Sequence, residues 1–87
     1  MNKTELEKRK KELEQAWQWV MSANQGRMVV ADILRLSGLE QSPFTGATNA
    51  TIKNIGMQDV GRLVRDKVMT HAFDNYVKMQ REEFGNG

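Results

Sequence analysis

Apolar residues in the first quarter of the chain recur at the spacing of an α-helix. They are separated by seven, four, three and one positions, so on a helix they share one face. The members of this stripe are Leu6, Leu13, Trp17, Val20 and Met21. Thr4 followed by Glu7 is a capping-box pattern, in which the hydroxyl accepts a helical amide and the carboxylate reaches back to the cap. The pattern predicts a first helix over 4–22.

A second and a third apolar stripe predict two more helices. The second ends just before Gly38, a residue suited to the left-handed conformation that follows many helices, and predicts a helix over 25–37. The third predicts a helix over 52–69. Gly56 and Gly61 lie inside it, and since each costs about 1 kcal/mol against alanine, we expect another helix or the loop backbone to approach closely there. The stripes comprise Val29, Val30, Ile33, Leu34 and Leu36, then Ile52, Ile55, Val60, Leu63 and Val64.

A last amphipathic segment predicts either a fourth helix or a bent continuation of the third, over 72–83. Its apolar residues are Phe73, Tyr76, Val77 and Phe84. With 87 residues and no cysteine, the chain is long enough for one modest core and has no disulfide to support it. The sequence therefore predicts a single all-α domain over 1–87, a small bundle of three to four helices with a long ordered loop between the second and third helices.

Residues 38–51 form this predicted loop and are rich in turn-forming residues. Loops of this length are uncommon in small domains unless their own side chains hold them in place. We expect Phe44 to anchor the loop in the core, hydroxyl and amide side chains to satisfy its backbone, and Asn49 or Thr51 to cap the third helix. The residues expected to order the loop are Ser42, Phe44, Thr45, Gly46, Asn49 and Thr51.

The charge pattern gives little support for binding to nucleic acid. Thirteen basic and eleven acidic side chains give a formal charge of +2, and the two signs are interleaved along the chain. Glutamates flank the short basic run at 8–11, which favours a solvated helix face. No apolar run has the length of a signal sequence or a membrane-spanning helix. We expect a soluble protein that binds no membrane and is not exported through a signal peptide.

Residues that usually carry catalysis or bind cofactors are sparse. His71 is the only histidine and cysteine is absent, which excludes metal centres built from several imidazole or thiolate ligands. No base and orienting group are identifiable for a serine or threonine nucleophile. Gly38 and Gly46 lack the lysine and hydroxyl pattern of a phosphate-binding loop. We expect no enzymatic activity, no cofactor, no metal and no small-molecule substrate.

Trp19 and several methionines lie away from the apolar stripes. Trp19 is two positions from Trp17 and so points about 200° around the helix, away from the core. Two explanations stay open: the last helix or the tail covers this indole, or it contacts a partner protein, since tryptophan is enriched at the energetic centres of interfaces. Met28, Met57 and Met79 lie at or beyond stripe edges, where flexible thioethers suit adaptable contacts and core gap-filling alike. These four residues are the predicted partner-binding set.

The middle of the chain, from Trp17 to Glu82, resembles a known family. A tryptophan helix, a Gly-Arg helix start and a loop of the order Ser-x-Phe-Thr-Gly-x-Ser-Asn-x-Thr are typical of short proteins encoded among the virion structural genes of tailed bacteriophages, of the Bordetella podophage type. The loop is similar to 42–51. Further matching residues are Trp17, Gly26, Arg27, Leu34, Gly38, Asn54, Gly56, Val60, Gly61, Tyr76 and Met79.

The resemblance implies a phage component that is virion-associated or assembly-related and resides in the virion or the host cytoplasm. It implies no enzymatic role. Ile55, Met57 and Gln58 depart from the family, which usually has an acid and two arginines in this region. These departures remove charged groups from a polar network that the resemblance would otherwise imply there.

Together these observations predict a small non-catalytic phage protein that docks on a larger phage structural protein, or self-associates, through apolar surface around Trp19 and the loop. One alternative is a small DNA-binding regulator in which the second and third helices form a helix-turn-helix. The predicted loop is far longer than the turn of about three or four residues in that motif. Another alternative is a phage factor that binds a host protein, which no residue pattern excludes.

Overall fold

The computed structural model describes residues 2–42 and 44–85. This part of the chain folds into four α-helices: α1 (Lys3–Ser22), α2 (Asn24–Leu36), α3 (Thr48–His71) and α4 (Phe73–Phe84). No strand occurs among the residues so described. Each helix contacts the other three. The molecule is therefore a small all-α bundle of four helices, which confirms the predicted fold class.

Single residues join α1 to α2 and α3 to α4. Ala23 is extended, with φ −104° and ψ 143°, and Ala72 has φ −147° and ψ 54°; neither conformation continues a helix. Gly26 permits the first of these joints, because a Cβ atom there would lie 1.7 Å from the carbonyl oxygen of Val20. The last amphipathic segment is consequently a separate helix and not a continuation of the third.

The start of α1 is capped by Asn2 and not, as predicted, by Thr4. The side-chain oxygen of Asn2 accepts the backbone N–H of Glu5 at 2.8 Å, and the Asn2 amide donates to the Glu5 carboxylate at 3.5 Å. Asparagine caps helices better than threonine does, and Glu5 stands three residues later, as a capping box requires. The helix therefore begins at Lys3.

α3 begins at Thr48 and not at residue 52, so the connection from α2 is 37–47 and shorter than predicted. Thr45 and Thr51 fix this earlier start. Thr45 Oγ1 accepts the Ala47 N–H at 3.1 Å, and Thr51 Oγ1 accepts the Thr45 N–H at 3.0 Å. Because these hydroxyls satisfy backbone groups next to the helix end, α3 extends one turn further towards α2, and the N-cap residue is Ala47.

The buried core is small and draws on all four helices. Its members are Met21, Val30, Ala31, Leu34, Val68, Ala72 and Met79. Half-buried apolar residues pack around it: Trp17, Val20, Leu39, Val64, Tyr76 and Phe84. Complete burial of one large aliphatic side chain contributes about 1.5–3 kcal/mol. Since the net stability of a domain is only about 5–15 kcal/mol, each of these few residues contributes a substantial share.

The first part of α1 extends beyond this core. Residues 2–16 are exposed without exception, although Leu6 and Leu13 belong to the same apolar stripe that reaches the core at Trp17. The radius of gyration, 15.4 Å, exceeds the roughly 12 Å of a compact chain of this length. We call residues 2–16 the N-terminal arm.

The face of α3 that packs against the bundle is not the predicted stripe. Four of the five stripe residues are exposed: Ile52, Ile55, Val60 and Leu63. Gly61 determines the face that is buried, since a Cβ atom there would lie 2.2 Å from Ser37 Oγ. Only glycine lets α3 come this close to the end of α2, and the close approach expected at Gly61 is confirmed. At Gly56 it is not, because beyond the glycine's own stretch of helix no described residue has an atom within 4 Å of the corresponding Cβ position.

Candidate docking surface

Arg27 fixes the position of α4 on the bundle. Its Nε donates to Glu82 Oε1 at 2.6 Å and its Nη2 to Glu82 Oε2 at 3.2 Å, while Nη1 donates to the carbonyl of Met21 at 2.9 Å. Arg27 is 4% exposed. The hydrogen bond from Arg27 holds the pKa of the Glu82 carboxyl below its usual range. Partial burial of the carboxyl acts in the opposite direction, and the positive charge of Arg27 adds to the lowering. The bidentate ion pair therefore connects α2 to the end of α4, and the hydrogen bond to Met21 connects α2 to the end of α1.

With α4 held there, the ends of α2 and α4, the turn after α2 and the middle of α3 surround a cavity of about 520 Å³. Its apolar lining is formed by Leu34, Leu39, Tyr76 and Phe84. Arg35 and Arg65 are also among the lining residues. This volume lies in the range of sites that bury a small ligand or a peptide side chain. We call it the end cavity.

The turn that forms one wall of the end cavity is held by Gln58. The Gln58 side-chain amide donates to the carbonyl of Gly38 at 2.7 Å and also to the carbonyl of Gln41. Gly38 has φ 68°, a left-handed conformation that favours glycine. Gln58 is buried, so a single side chain from α3 satisfies two carbonyls of the turn.

The two arginines of the end cavity differ in their partners. Arg35 Nη2 donates to the Glu83 carbonyl at 2.7 Å and to its carboxylate at 3.3 Å, and the guanidinium lies 4.8 Å from the centroid of the Phe84 ring. Arg65 forms one ion pair in the described chain, with its sequence neighbour Asp66 at 3.7 Å. That separation is too long for a hydrogen bond.

The structure separates the four predicted partner-binding residues. Trp19 is 77% exposed, so the described part of the last helix does not cover it. Met28 and Met57 are exposed on α2 and α3, and Met57 lines a shallow cleft together with Ser42. Met79 is 0% exposed and belongs to the core. The prediction that Met79 belongs to a contact surface was wrong, because its side chain lies on the face of α4 that packs against the other helices.

The predicted loop-ordering residues fall into two groups. Ser42, Thr45 and Thr51 accept backbone N–H groups, Ser42 from Phe44 at 3.3 Å. Phe44 is 74% exposed, so the prediction that it anchors the loop in the core was wrong. The hydroxyl contacts and Gln58 hold the connection without it. Pro43, between these residues, lies outside the described residues.

Gly46 and Asn49, the other two predicted loop-ordering residues, make no ordering contact with another described residue. Gly46 does not adopt a positive φ, and apart from its two chain neighbours no described residue has an atom within 4 Å of its Cβ position. Asn49 is exposed and lies within the first turn of α3, one residue after the helix begins. It therefore does not cap the helix, because the cap position has moved to Ala47.

Sequence reasoning missed the residues that shape the end cavity. Arg27 and Glu82 are 55 positions apart, and no periodicity within one helix links residues so distant. Arg65 does not belong to the apolar stripe that was predicted for the third helix. The available signal was Gly61, which stands one helical turn from Arg65 and marks the face of closest approach.

No group of three or more histidine, aspartate or glutamate side chains is arranged to hold a metal ion among residues 2–42 and 44–85. Over the same ranges, no helix combines the length and the apolar composition that crossing a bilayer requires.

Comparison with known proteins identifies the family. Residues 17–81 match the family model described as Bbp19-like phage protein, and the chain therefore belongs to the Bbp19-like phage protein family. The matched region begins where α1 enters the core and excludes the arm. No curated protein and no solved structure matched the chain.

Proposed function

We propose that this member of the Bbp19-like phage protein family is a non-catalytic virion or assembly protein that docks on a larger phage protein. The observation that carries the proposal is the exposure of Trp19, at 77%. An indole is among the largest apolar groups that a protein can bury, and tryptophan is the residue type most enriched at the energetic centres of interfaces. A partner protein that covers Trp19 would bury that surface.

The rest of the surface supports the same function. Among the described residues, fifteen large apolar side chains are exposed, whereas the buried core has seven members. Large exposed apolar area on a small protein is typical of a surface that contacts another macromolecule. The exposed residues with the highest fractions besides Trp19 lie on different helices and in the connection: Leu36, Phe44, Ile52 and Leu63.

The proposal is tested by recovery of the tagged full-length protein from infected cells and by mass spectrometry of purified particles. We expect a larger structural protein to co-purify with the wild type. Recovery should fall about tenfold or more with Trp19→Ala, because hot-spot truncations cost about 2 kcal/mol or more. Gln15→Ala, an exposed change on the same helix, is the matched control and should leave recovery unchanged.

Absence of the protein from particles, and from every complex with a phage structural protein, would refute the proposal. Salt-dependent binding to duplex DNA would favour a regulator instead, although the connection 37–47 is still longer than the turn of a helix-turn-helix. Co-purification with a single host protein, and with no phage protein, would indicate a factor directed at the host.

A further inference from the structure

We propose that the end cavity binds a segment of the docking partner through an acidic side chain, which Arg65 holds, and an adjacent apolar side chain, which enters the cavity. The inference rests on the proposed docking function and specifies the chemistry of one of its contacts. Its site is distinct from Trp19, which does not line the cavity.

Arg65 carries the argument because its guanidinium forms no hydrogen bond with another described residue. The side chain is only 33% exposed, and a guanidinium has five N–H donors in a fixed planar arrangement. The separation from Asp66 is 3.7 Å, and Asp66 is itself 64% exposed. No acceptor within hydrogen-bond distance of this guanidinium is found in residues 2–42 and 44–85. The other arginines packed against neighbouring helices, Arg27 and Arg35, both donate to a carboxylate and to a carbonyl.

A carboxylate is the ligand that this arrangement fits. Two parallel N–H···O bonds from a guanidinium match the spacing of the two carboxylate oxygens. Arg35 is already paired with Glu83, which leaves Arg65 as the cation of the cavity that is available to an incoming acid. Glu40 also lines the cavity, but it is exposed, on the turn, where water screens its charge.

The apolar part of the lining favours a peptide over a nucleic acid. Leu34, Leu39 and Phe84 surround the space beside Arg65, and an aliphatic or aromatic side chain gains free energy by leaving water there. A nucleic-acid backbone would instead require several cations in a row. One available guanidinium next to apolar walls corresponds to an acidic residue with an apolar neighbour in a protein segment.

Three short peptides test the proposal against the full-length protein by NMR titration. The first is acetyl-Ala-Leu-Glu-Leu-amide, the second replaces Glu by Gln, and the third, acetyl-Ala-Leu-Leu, keeps only a free terminal carboxylate. We expect the first peptide to shift the signals of the Arg65 side chain and of Tyr76 at millimolar concentration. Loss of the charge should weaken binding about tenfold, as expected for a charge-assisted pair.

Arg65→Gln should weaken binding of the Glu peptide about tenfold and leave the Gln peptide unaffected. Arg62→Gln is the matched control: Arg62 lies on the same helix, is 44% exposed and pairs with Asp59, and it does not line the cavity. Thermal unfolding of both variants verifies the fold. Arg65→Lys, which keeps the charge and loses the planar pair of donors, should bind the Glu peptide more weakly than wild type does.

Equal affinity for the Glu and Gln peptides, equal effects of Arg65→Gln and Arg62→Gln, or no binding of the Glu peptide would each overturn the inference. Binding of the third peptide alone would also overturn it, in favour of a chain terminus. Trp19→Ala should not change peptide affinity. Failure of the docking proposal therefore shows as loss of co-purification, whereas failure of this inference shows in the titration.

Discussion

Two halves of α1 have the same apolar spacing but different surroundings. In the N-terminal arm, Leu6 and Leu13 are solvated, whereas in the second half Trp17 packs on the core and Met21 is fully buried. The sequence pattern is continuous across the two halves. The residues of α1 that belong to the core or pack against it, Trp17, Val20 and Met21, all lie in the second half. An apolar stripe is buried only where another element lies against it.

The two glycines of α3 repeat this contrast at a smaller scale. Both lie in the helix interior, where glycine is unfavourable. Gly61 lets α3 pack on Ser37, whereas Gly56 faces open space. In both comparisons the sequence feature is the same at two places. The apolar stripe is buried, and the glycine allows close packing, only where a neighbouring helix or turn is present.

The largest expected difference in the free energy of unfolding is between truncation of a core side chain and truncation of a side chain on the arm. We expect Met79→Ala to lower the free energy of unfolding by about 2–5 kcal/mol, because it leaves a cavity among buried side chains. Leu13→Ala, which removes an exposed apolar side chain of the arm, should change it by less than about 0.5 kcal/mol. Urea unfolding followed by circular dichroism measures both. Comparable losses would mean that the arm is packed in solution.

Alanine at the two glycines should shift stability in opposite directions. Gly61→Ala forces a Cβ atom against Ser37 and should destabilise by about 1–3 kcal/mol. Gly56→Ala adds a side chain in open space and should stabilise by up to about 1 kcal/mol, since alanine favours helix. Melting temperatures of the two variants provide the measurement. A destabilised Gly56→Ala protein would indicate that another molecule approaches that face.

The ion pair between Arg27 and Glu82 should make the free energy of unfolding depend on pH in the acidic range. The folded-state pKa of Glu82 is lowered, so its contribution is fully present above the unfolded-state pKa of about 4.3 and is lost as pH falls through the lower folded-state value. We expect Glu82→Gln to be less stable than wild type at pH 7, with the difference shrinking below about pH 4. Glu14→Gln, on the arm, is the control and should show the same dependence of stability on pH as the wild type. A stability difference between Glu82→Gln and wild type that stays constant with pH would contradict the role given to the ion pair.

The smallest expected effect is local to the arm. Its residues are exposed along the whole length of the arm, and isolated helices of this length are marginal in water. Amide hydrogen exchange of residues 6–16 should therefore proceed through fraying with an opening free energy near zero, while Val30 and Val68 should exchange only through global unfolding. Protection of the arm that rises with protein concentration would show that it pairs with a second copy.

Local patterns were sufficient to predict the fold class. Three apolar stripes predicted three helices, and a last amphipathic segment predicted a fourth helix or a bent continuation of the third. The offset of Trp19 from Trp17 predicted that its side chain points away from the core, with its cover by the last helix or the tail left open. These predictions depend on helix geometry within about twenty residues. The predicted helix ends were less accurate. Thr4 was as plausible a cap for the first helix as Asn2, and the contacts between Thr45 and Thr51 that start α3 earlier could not be distinguished from a cap at Asn49 or Thr51.

The buried face of α3, the burial of Met79 and the exposure of Phe44 were not predictable in the same way. Apolarity favoured Ile52 and Leu63 as core residues, yet the packed face carries Gln58 and Gly61. A helix face is selected by the fit between elements, here by a missing Cβ atom and two turn carbonyls. Neither feature is visible in the hydrophobic pattern of a single segment.

The joint at Ala23 has a mechanical consequence. Only one extended residue separates α1 from α2, and Gly26 packs directly against the Val20 backbone. The angle between the two helices therefore has little freedom to change. The direction in which α1 leaves the bundle is consequently fixed at its base. At 1.5 Å per residue the arm beyond that base is roughly 20 Å long, and its orientation is defined only while its own helix stays formed.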